Sequence, residues 1–394
     1  MRISKLLGTR LKDAPAGATS KSHIYLTRAG YIKQMANGIY TLLPPAQRVA
    51  QKIMGIIREE MDAIGGQECL FPVVMPREVW DASGRYSSVG AEMIRFKDRS
   101  NHDLVLGMTH EEAAVHAALG NVKSYDQLPF MIYQFQTKFR DEARARAGLI
   151  RVREFTMKDA YSFHTSQEDL EQFYKKAYDA YIRCYHRMGM KKVISVRSDS
   201  GMMGGKVADE FQLLTDVGED TIIICPDCDK ASNIEVATSV MEENDHIFGV
   251  KQEVFTGSAK TIDEVCSNLN KKPNQTAKAV CYAVIGDENR VVIAFLRGDK
   301  EINEAKLKNL VGAEIAMKDL EGTGLIKGNI GCVDLHIDGA EIYFDKSLEG
   351  LESFVTGANK EGYHYIGVSM TRDVKPDKYV DISKVSEGER CPVC

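Results

Sequence analysis

The sequence lacks the long apolar runs and the apolar signal core that would place the chain in or across a membrane. It has no internal repeat and no low-complexity tract, so a repeat architecture is excluded. It also lacks an excess of positive charge, because its formal net charge is -5. A general nucleic-acid coat is therefore excluded, and any RNA contact must come from a local patch.

The sequence also has too irregular a set of cysteines for a disulfide scaffold. The nine cysteines are an odd number and are scattered, apart from two Cys-x-x-Cys pairs. This usage is typical of a reducing cytosol, so we expect a cytoplasmic protein. With 394 residues, of which 44% are hydrophobic and 27% are charged, the chain can bury a sizeable core. Its length predicts two or three domains.

The apolar periodicity predicts a core followed by a separate α/β unit. Val49, Ile53, Ile57 and Met61 recur at helical spacing and predict an amphipathic helix over 46–64. The composition changes at Cys225, and we expect the separate unit over 234–381. Further helices are predicted at 111–119, 170–188 and 303–310, and strands at 68–71, 104–108, 192–196, 210–214, 221–224, 280–285, 291–296, 315–317, 333–337 and 342–344.

The segment 130–164 is the most informative part of the chain, because two alternating runs flank a short basic turn. The predicted polar face of the first run carries Gln134, Gln136, Lys138 and Arg140. The second run places Arg151, Arg153, Phe155, Met157 and Asp159 on one face. An antiparallel pair with this polar floor suits a site that holds a polyphosphate and a flat ring together.

These spacings carry a resemblance to a known family. Phe139-Arg140-Asp141-Glu142, followed by Arg151, Phe155 and Asp159, resembles motif 2 of class II aminoacyl-tRNA synthetases. The helix, strand and proline that end at Pro72 resemble motif 1, which implies a homodimer interface. Thr109-His110-Glu111-Glu112 and the block from Met157 to His164 are similar to bacterial prolyl-tRNA synthetases. The resemblance covers essentially the whole chain.

The resemblance implies the fold, the reaction and the partners. The expected fold is mixed α+β and α/β: a class II core built on an antiparallel sheet, with an inserted α/β editing domain similar to tRNA deacylases. The expected reaction is ATP-dependent activation of proline to prolyl-adenylate and transfer to tRNA(Pro), with Mg²⁺ bridging phosphates. The expected partners are proline, ATP, tRNA(Pro) and a second copy of the chain, with no membrane.

The resemblance also implies which residues form the nucleotide site. Arg140 and Glu142 are the expected catalytic residues: the Arg140 fork binds the α-phosphate and the amino-acid carboxylate, and Glu142 accepts from the adenine amino group. Arg151 would reach the terminal phosphates, and Phe155 would stack on adenine. Arg144 and Arg146 form either a contact to the tRNA acceptor end or a solvated basic turn.

The proline site is implied by the blocks on either side of motif 2. Thr109 and Glu111 would bind the imino group of proline, with Glu111 matching its positive charge. Arg140, Asp159 and His164 complete the expected proline-binding set. Taken alone, Thr109 and Glu111 would equally fit an ordinary helix N-terminus with favourable acidic residues.

The separate unit resembles the editing insertion of bacterial prolyl-tRNA synthetases through Thr256-Gly257, Lys278, 296–299 and 357–364. Alanine is smaller than proline, and a pocket rejects a smaller analogue by only about 1–3 kcal/mol per methylene, so a second hydrolytic site is needed. The resemblance implies that Lys278 holds the tRNA terminus, that Asp338 and His364 line the pocket, and that Gly331 lies in its loop. Cys332 replaces a proline of that loop, which leaves loop rigidity and editing strength open.

The two Cys-x-x-Cys pairs lie at the two ends of the insertion. Cys225, Cys228, Cys391 and Cys394 have the spacing of two zinc knuckles, with 391 − 228 − 1 = 162 residues between the pairs. The alternatives are a structural zinc clip that ties both linkers together and two unligated turns.

The third motif of class II synthetases has no convincing counterpart. Gly367 to Arg372 mimics it, but the following 373–377 contains Pro376 and breaks the required helix, so we assign this segment to the editing unit. The expected division is a catalytic core at 1–228, the editing domain at 229–386 and a return segment at 387–394. We expect the front part of a longer synthetase that does not charge tRNA alone. The alternatives are an autonomous deacylase and a non-catalytic regulator.

Overall fold

The computed structural model describes residues 3–199, 207–216, 218–244, 248–320, 323–337 and 339–394. The chain forms two compact units, unit 1 at 1–193 and unit 2 at 194–394. Within the described residues, no helix has the length and apolar character that a membrane span requires. The functional division at 228 and 386 differs from this division by packing and stays a prediction.

Unit 1 contains short strands around two long helices. The helices are α1 (Lys21–Arg28), α2 (Pro44–Ala63), α3 (Arg77–Ala82), α4 (Arg85–Ser88), α5 (Glu111–Asn121) and α6 (Gln167–Arg187). The strands are β1 (Ile32–Ala36), β2 (Ile39–Leu42), β3 (Gly66–Glu68), β4 (Val74–Pro76), β5 (Arg95–Lys97), β6 (Asp103–Leu106), β7 (Phe130–Phe139) and β8 (Glu154–Phe163). The predicted motif 1 helix is confirmed, and it begins at Pro44 because proline suits the first helical turn.

The predicted hairpin of segment 130–164 is confirmed. Strands β7 and β8 pair antiparallel over their whole length, from Phe130 opposite Phe163 to Phe139 opposite Glu154. Strand β3 runs parallel to β7 on its other edge. One face of this sheet packs Met131 and Tyr133 against Met61 of α2 and Ala180 of α6. The opposite face carries the polar residues, as the alternation predicts.

A second sheet of order β4-β6-β5 carries the loop that leads into α5. The buried core beneath it includes Trp80, Val105 and Met108. Backbone bonds fasten Gly107 on both sides, because its N–H donates to Val73 O at 2.7 Å and its carbonyl accepts from Phe139 N at 3.0 Å. The start of α5 is thereby fixed beside the end of β7.

Unit 2 is built mainly from sheet. Its strands are β9 (Val193–Ser198, at the boundary with unit 1), β10 (Ala208–Leu213), β11 (Ile222–Ile224), β12 (Ala231–Asn233), β13 (Gln252–Phe255), β14 (Ala277–Val284), β15 (Asp287–Arg297), β16 (Ile315–Met317), β17 (Ala340–Phe344), β18 (Phe354–Gly357) and β19 (Tyr363–Val368). Its helices are α7 (Ile262–Leu269) and α8 (Glu304–Val311).

The predicted hairpin of the separate unit is confirmed as β14 and β15, with β16 and β17 on its edges in the order β16-β14-β15-β17. Residues from both faces of this sheet form the core: Ile293 and Phe295 lie in one buried cluster, and Tyr282 and Leu307 lie in another. The strand predicted at 333–337 is wrong, since this segment is irregular and Asp334 has φ 52°. Its apolar side chains enter the core from a loop, so their composition did not require strand pairing.

Segment 363–374 belongs to unit 2. Strand β19 pairs with both β13 and β18, and a short helical turn, Met370–Val374, follows it. The Arg372 guanidinium donates to the backbone oxygens of Gly249 and Gly367, each at 2.9 Å. The Arg372 guanidinium is therefore bonded within unit 2, which supports the assignment of this segment to the editing unit.

Candidate active site

Arg140 and Phe155 meet where β7 ends and β8 begins. The Arg140 guanidinium carbon lies 5.6 Å from the centre of the Phe155 ring. Its Nε donates to Met108 O at 3.2 Å, and its backbone N–H donates to Arg153 O at 2.8 Å. An arginine held over an aromatic face presents a planar, permanently charged fork beside a flat apolar surface. The structure thus brings together two residues that the sequence assigns to ATP.

Glu142 and Arg151 form an ion pair in the turn region. Glu142 Oε2 lies 2.9 Å from Arg151 Nε, and Glu142 Oε1 accepts from the backbone N–H of Arg144 at 2.8 Å. The Arg144 N–H and then the Arg151 guanidinium hold the pKa of the Glu142 carboxyl below its usual range. Arg144 and Arg146 are both exposed, and Arg146 exchanges backbone hydrogen bonds with Arg151. The basic turn is thus closed by its own backbone.

Thr109 and Glu111 lie together at the start of α5. The Thr109 hydroxyl is 2.7 Å from both carboxylate oxygens of Glu111. Arg85 Nη1 lies 3.0 Å from an oxygen of Glu111 and 3.0 Å from an oxygen of Glu112. The Glu111 side chain is 41% exposed while that of Glu112 is 3% exposed, so Glu111 is the carboxylate that a ligand can reach.

Both carboxylate oxygens of Asp159 have partners within the protein. Its Oδ1 lies 2.8 Å from Lys138 Nζ, and its Oδ2 accepts from Gln134 Nε2 at 2.9 Å and from the Tyr161 hydroxyl at 2.5 Å. Burial raises the pKa of Tyr161, and the bond to Asp159 raises it further. Asp159 therefore belongs to a buried polar layer beneath the loop of Thr109 and Glu111.

Two members of that layer were not predicted as functional residues. His110 is fully buried, accepts a hydrogen bond from Lys138 Nζ at Nδ1 over 2.6 Å, and donates from Nε2 to Pro72 O at 3.0 Å. Lys138 is also fully buried, and burial lowers its pKa while Asp159 opposes that shift. Strand alternation puts Lys138 on the face of Gln134, but only the tertiary fold brings His110 to it.

His164 is separated from the other expected proline-binding residues. Its Nδ1 lies 2.8 Å from Asp169 Oδ2, and its ring is 5.2 Å from that of Phe173. Phe173 belongs to the core that α6 forms against the opposite face of the sheet. His164 lies five positions after Asp159, and an odd spacing reverses the face of a strand. Its role at the proline site stays a prediction.

The remaining set in unit 1 has a definite chemical character. Arg140 and Arg151 supply permanent positive charge, Phe155 supplies a flat apolar face, and Glu111 supplies one reachable negative charge. Such a set holds a polyphosphate with an attached ring and, beside it, a small cationic amine.

In unit 2 the expected editing residues Lys278 and Gly331 bond to backbone or amide oxygens rather than to charged side chains. Lys278 Nζ donates to Gly298 O at 3.1 Å, and burial lowers its pKa. Gly331 N–H donates to Asn359 Oδ1 at 2.8 Å. A Cβ on Gly331 would lie 1.7 Å from Gly357 O, so this contact admits only glycine. Asp338 falls outside the described residues.

His364 is held from both sides of its ring. Its Nδ1 lies 2.7 Å from Thr256 Oγ1, and it also bonds the backbone oxygen of Gly328. Burial lowers the pKa of His364. Cys332 in the same loop is buried, and burial raises its pKa to about 12, which disfavours the reactive thiolate form.

The four cysteines of the two pairs come together in unit 2. Their sulfur atoms all lie within 4.8 Å of one another, with Sγ–Sγ distances of 3.5 Å for Cys225–Cys394 and 3.8 Å for Cys228–Cys391. Zinc–sulfur bonds of about 2.3 Å place neighbouring sulfurs of a tetrahedral site about 3.8 Å apart. The Val393 N–H also points to Cys391 Sγ at 3.4 Å, a contact that suits a thiolate. The donor set therefore fits zinc.

Comparison with known proteins shows the families to which the two parts of the chain are similar. The tRNA synthetase class II core domain family (G, H, P, S and T) matches residues 94–298, and the aminoacyl-tRNA editing domain family matches residues 256–372. The proline–tRNA ligase of Geobacillus kaustophilus is 43% identical over 399 residues, which are 100% of this chain and 70% of that protein. That of Moorella thermoacetica is 42% identical over 404 residues, which are 100% of this chain and 69% of that protein.

Solved structures include a prolyl-tRNA synthetase of Giardia lamblia in complex with prolyl-adenylate. Its TM-score is 0.41 at 24% identity, over 44% of this chain and 36% of that chain.

The polar floor, the loop before α5 and the two family matches define a class II aminoacyl-tRNA synthetase core joined to an editing domain. Within that class, the chain belongs to the family of bacterial proline–tRNA ligases. The established reaction of that family is the ligation of proline to tRNA with ATP and Mg²⁺.

Proposed function

We propose that the polar face of β7 and β8 forms prolyl-adenylate with the residues of unit 1 in distinct roles. Arg140 binds the α-phosphate and the proline carboxylate together, so that the two anions that must react are held on one charge. Phe155 carries the adenine ring, and Glu142 accepts from its amino group. The observation that carries this proposal is the Arg140 guanidinium held 5.6 Å above Phe155 at the end of β7.

Arg151 takes the terminal phosphates in this proposal. Its guanidinium is paired with Glu142 at 2.9 Å, and both side chains are partly exposed. A triphosphate carries more charge than one carboxylate, so it competes well for this guanidinium. When Mg²⁺ is bound with the nucleotide, it neutralises charge between phosphates. Arg144 and Arg146, which lie exposed on the adjoining turn, contact phosphates of the tRNA acceptor end.

Proline is recognised at Thr109 and Glu111. The secondary ammonium of proline pairs with Glu111, which is the reachable carboxylate, while Thr109 fixes that carboxylate from the buried side. Asp159 supports the site from the layer beneath.

Glu111→Gln tests the proline site, because it keeps the shape of the side chain and removes its charge. In the full-length protein, we expect the KM for proline in proline-dependent ATP–pyrophosphate exchange to rise by about 10-fold or more, while the KM for ATP stays within about twofold. The control is Glu78→Gln on α3, which should change neither constant. An unchanged KM for proline in Glu111→Gln contradicts the proposed site.

We further propose that unit 2 hydrolyses alanyl-tRNA(Pro). The supporting observation is the close approach of Gly331 to the Gly357 backbone, a narrow contact between two glycines that suits the recognition of a small amino acid. Deacylation of alanyl-tRNA(Pro) and prolyl-tRNA(Pro) by the full-length protein tests this. We expect alanyl-tRNA(Pro) to be hydrolysed faster, and equal rates on both would contradict the proposal.

The four cysteines are proposed to hold one structural zinc ion. Their near-tetrahedral sulfur spacing and the N–H donor to Cys391 support this proposal. Metal analysis of protein purified without chelator should find about one zinc per chain, and Cys391→Ser should remove it. Cys69→Ser, in unit 1, is the matched control and should keep the metal. A wild-type protein that holds no zinc after reconstitution would contradict the site.

We also propose a homodimer through the motif 1 region and a cytoplasmic location. The support for the dimer is that α2 exposes Val49 and Ile53, and that Leu70, just beyond β3, is exposed as well. Light scattering should give a dimer mass for the wild type and a monomer mass for the double change Val49→Glu and Ile53→Glu. Val115→Glu, at an exposed position on α5, should remain a dimer.

A further inference from the structure

The buried polar layer beneath Thr109 and Glu111 forms a closed circuit of interactions. Lys138 Nζ contacts Asp159 Oδ1 at 2.8 Å and His110 Nδ1 at 2.6 Å. The backbone N–H of His110 donates to the Tyr161 hydroxyl at 3.0 Å, and that hydroxyl donates to Asp159 Oδ2 at 2.5 Å. Each step has one possible direction of donation, so the circuit permits one arrangement of protons.

A buried charge pair of this kind is not required for stability. Taking an ammonium and a carboxylate out of water costs free energy that their attraction only partly returns, and apolar residues of similar volume are often equally stable. Lys138 is fully buried and Asp159 is 9% exposed, so this cost applies to both. The pair is therefore better explained by a geometric role, one that fixes side chains which the reaction needs.

What the circuit fixes is the residue between Thr109 and Glu111. His110 is held at its ring by Lys138 and, through Nε2, by Pro72 O at 3.0 Å, and at its backbone by Tyr161. With His110 fastened at ring and backbone, the side chains on either side of it have little freedom to move.

The neighbouring backbone is shaped to admit this ring. A Cβ on Gly107 would lie 2.6 Å from Cε1 and 2.8 Å from Nε2 of His110, so any other residue at 107 would displace the imidazole. Phe71 lies almost parallel to the ring at 6.2 Å between centres. Gly107 and Phe71 therefore both shape the space that the His110 ring occupies.

We propose that Lys138 is a positioning residue for proline recognition, which acts through His110 to set the loop that carries Thr109 and Glu111. This inference rests on the proposed proline site. Lys138 touches neither substrate in this proposal; it determines where the proline-binding groups stand. Loss of the circuit should therefore weaken the use of proline while leaving ATP binding at Arg140 and Phe155 intact.

Lys138→Met tests the inference, because methionine fills a similar volume and lacks the ammonium. In the full-length protein, we expect the KM for proline in ATP–pyrophosphate exchange to rise about 10- to 100-fold, and the KM for ATP to change by no more than about twofold. Lys158→Met is the matched control, since Lys158 lies on the opposite face of the same sheet and bonds the Tyr181 hydroxyl. It should leave the KM for proline unchanged.

A second pair of variants keeps the test valid if Lys138→Met does not fold. His110→Leu leaves the Lys138–Asp159 pair in place and removes both ring contacts, so it should raise the KM for proline as Lys138→Met does. His110→Asn keeps an acceptor where Nδ1 stands and should recover part of the loss. A purely structural role predicts instead a lower active fraction or melting temperature with both KM values unchanged.

The reference variant Glu111→Gln separates the two ideas. If Glu111→Gln raises the KM for proline but His110→Leu does not, the inference about Lys138 is overturned and the proline site stands. If Glu111→Gln itself has no effect on that KM, the proposed proline site fails. A rise of both KM values together in Lys138→Met and His110→Leu also overturns the inference.

Discussion

The proposed sites of the two units use different groups to recognise their ligands. In unit 1 the groups of the proposed site are charged side chains: Arg140, Arg151 and Glu111 are assigned to the ligands, and the ion pair of Lys138 and Asp159 is buried. In unit 2 the corresponding place is made of backbone, where a glycine loop touches a glycine strand end. The difference follows from the ligands, because ATP and proline carry full charges that charges can hold.

The proposed unit 2 site must instead discriminate between amino acids by size, and a rigid backbone suits that discrimination. Asn359 fastens the loop by accepting from Gly331 N–H and donating to the backbone oxygens of Gly331 and Val333 at 3.2 and 3.1 Å. Asn359 has φ 55°, a left-handed conformation that asparagine tolerates better than most residues. The neutral amide thus does in unit 2 what the Lys138 charge does in unit 1. Substitutions in unit 1 should therefore act through charge, and those in unit 2 through shape.

The largest effect is expected from Arg140→Ala. Removing a charge that stabilises the reacting phosphate should lower kcat/KM for proline-dependent ATP–pyrophosphate exchange by about 10²- to 10³-fold. Arg77→Ala is the matched control, because Arg77 also lies over an aromatic ring, that of Tyr86, at 4.4 Å. It should retain normal exchange. Near-normal exchange in Arg140→Ala would show that charge is not decisive in the unit 1 site.

The next effect is expected from Gly331→Ala. The added methyl group would lie 1.7 Å from Gly357 O, so the loop must move away, and a displacement of about 1 Å can cost about 10²-fold in rate. Deacylation of alanyl-tRNA(Pro) should fall by that order, while pyrophosphate exchange stays normal. Gly286→Asn is the control, since nothing lies within 4 Å of its Cβ position and asparagine tolerates its positive φ. Retained deacylation in Gly331→Ala would show that shape is not decisive there.

The same contrast explains what sequence alone could predict. The polar face of β7 followed from alternation, and the resemblance carried by Arg140, Arg151 and Phe155 predicts the nucleotide site. The role of His110 could not be seen, because Lys138, Pro72 and Tyr161 come from three distant segments that only the folded chain brings together. His164 was assigned to the proline site through a contiguous block that resembles the family, although the period of two predicts the opposite face from Asp159.

In unit 2 the limit was different. In a sequence, a glycine-rich loop indicates flexibility. The close approach of Gly331 to Gly357 depends instead on a strand end 26 residues further along the chain. The run at 333–337 has the apolar composition of a strand, and the structure uses it as a loop that fills the core. Backbone-built sites leave little signal in residue types, whereas charge-built sites leave a strong one.

The smallest effect is expected at His364, where the neutral ring is part of the backbone-lined architecture. Burial lowers the pKa of His364 below its usual value of about 6.5, so the unfolded chain takes up a proton first as the pH falls. Unit 2 should therefore lose stability between pH 6.5 and the lower folded-state pKa, and none from this source above pH 7. We expect the melting temperature to drop by about 2–3 °C more from pH 7.5 to 5.5 in the wild type than in His364→Gln.

His116→Gln, at an exposed position of α5 in unit 1, is the control and should keep the wild-type pH dependence. If His364→Gln keeps the full pH dependence, another group titrates in this range. The contrast between a charged site in unit 1 and a neutral one in unit 2 would then fail at His364.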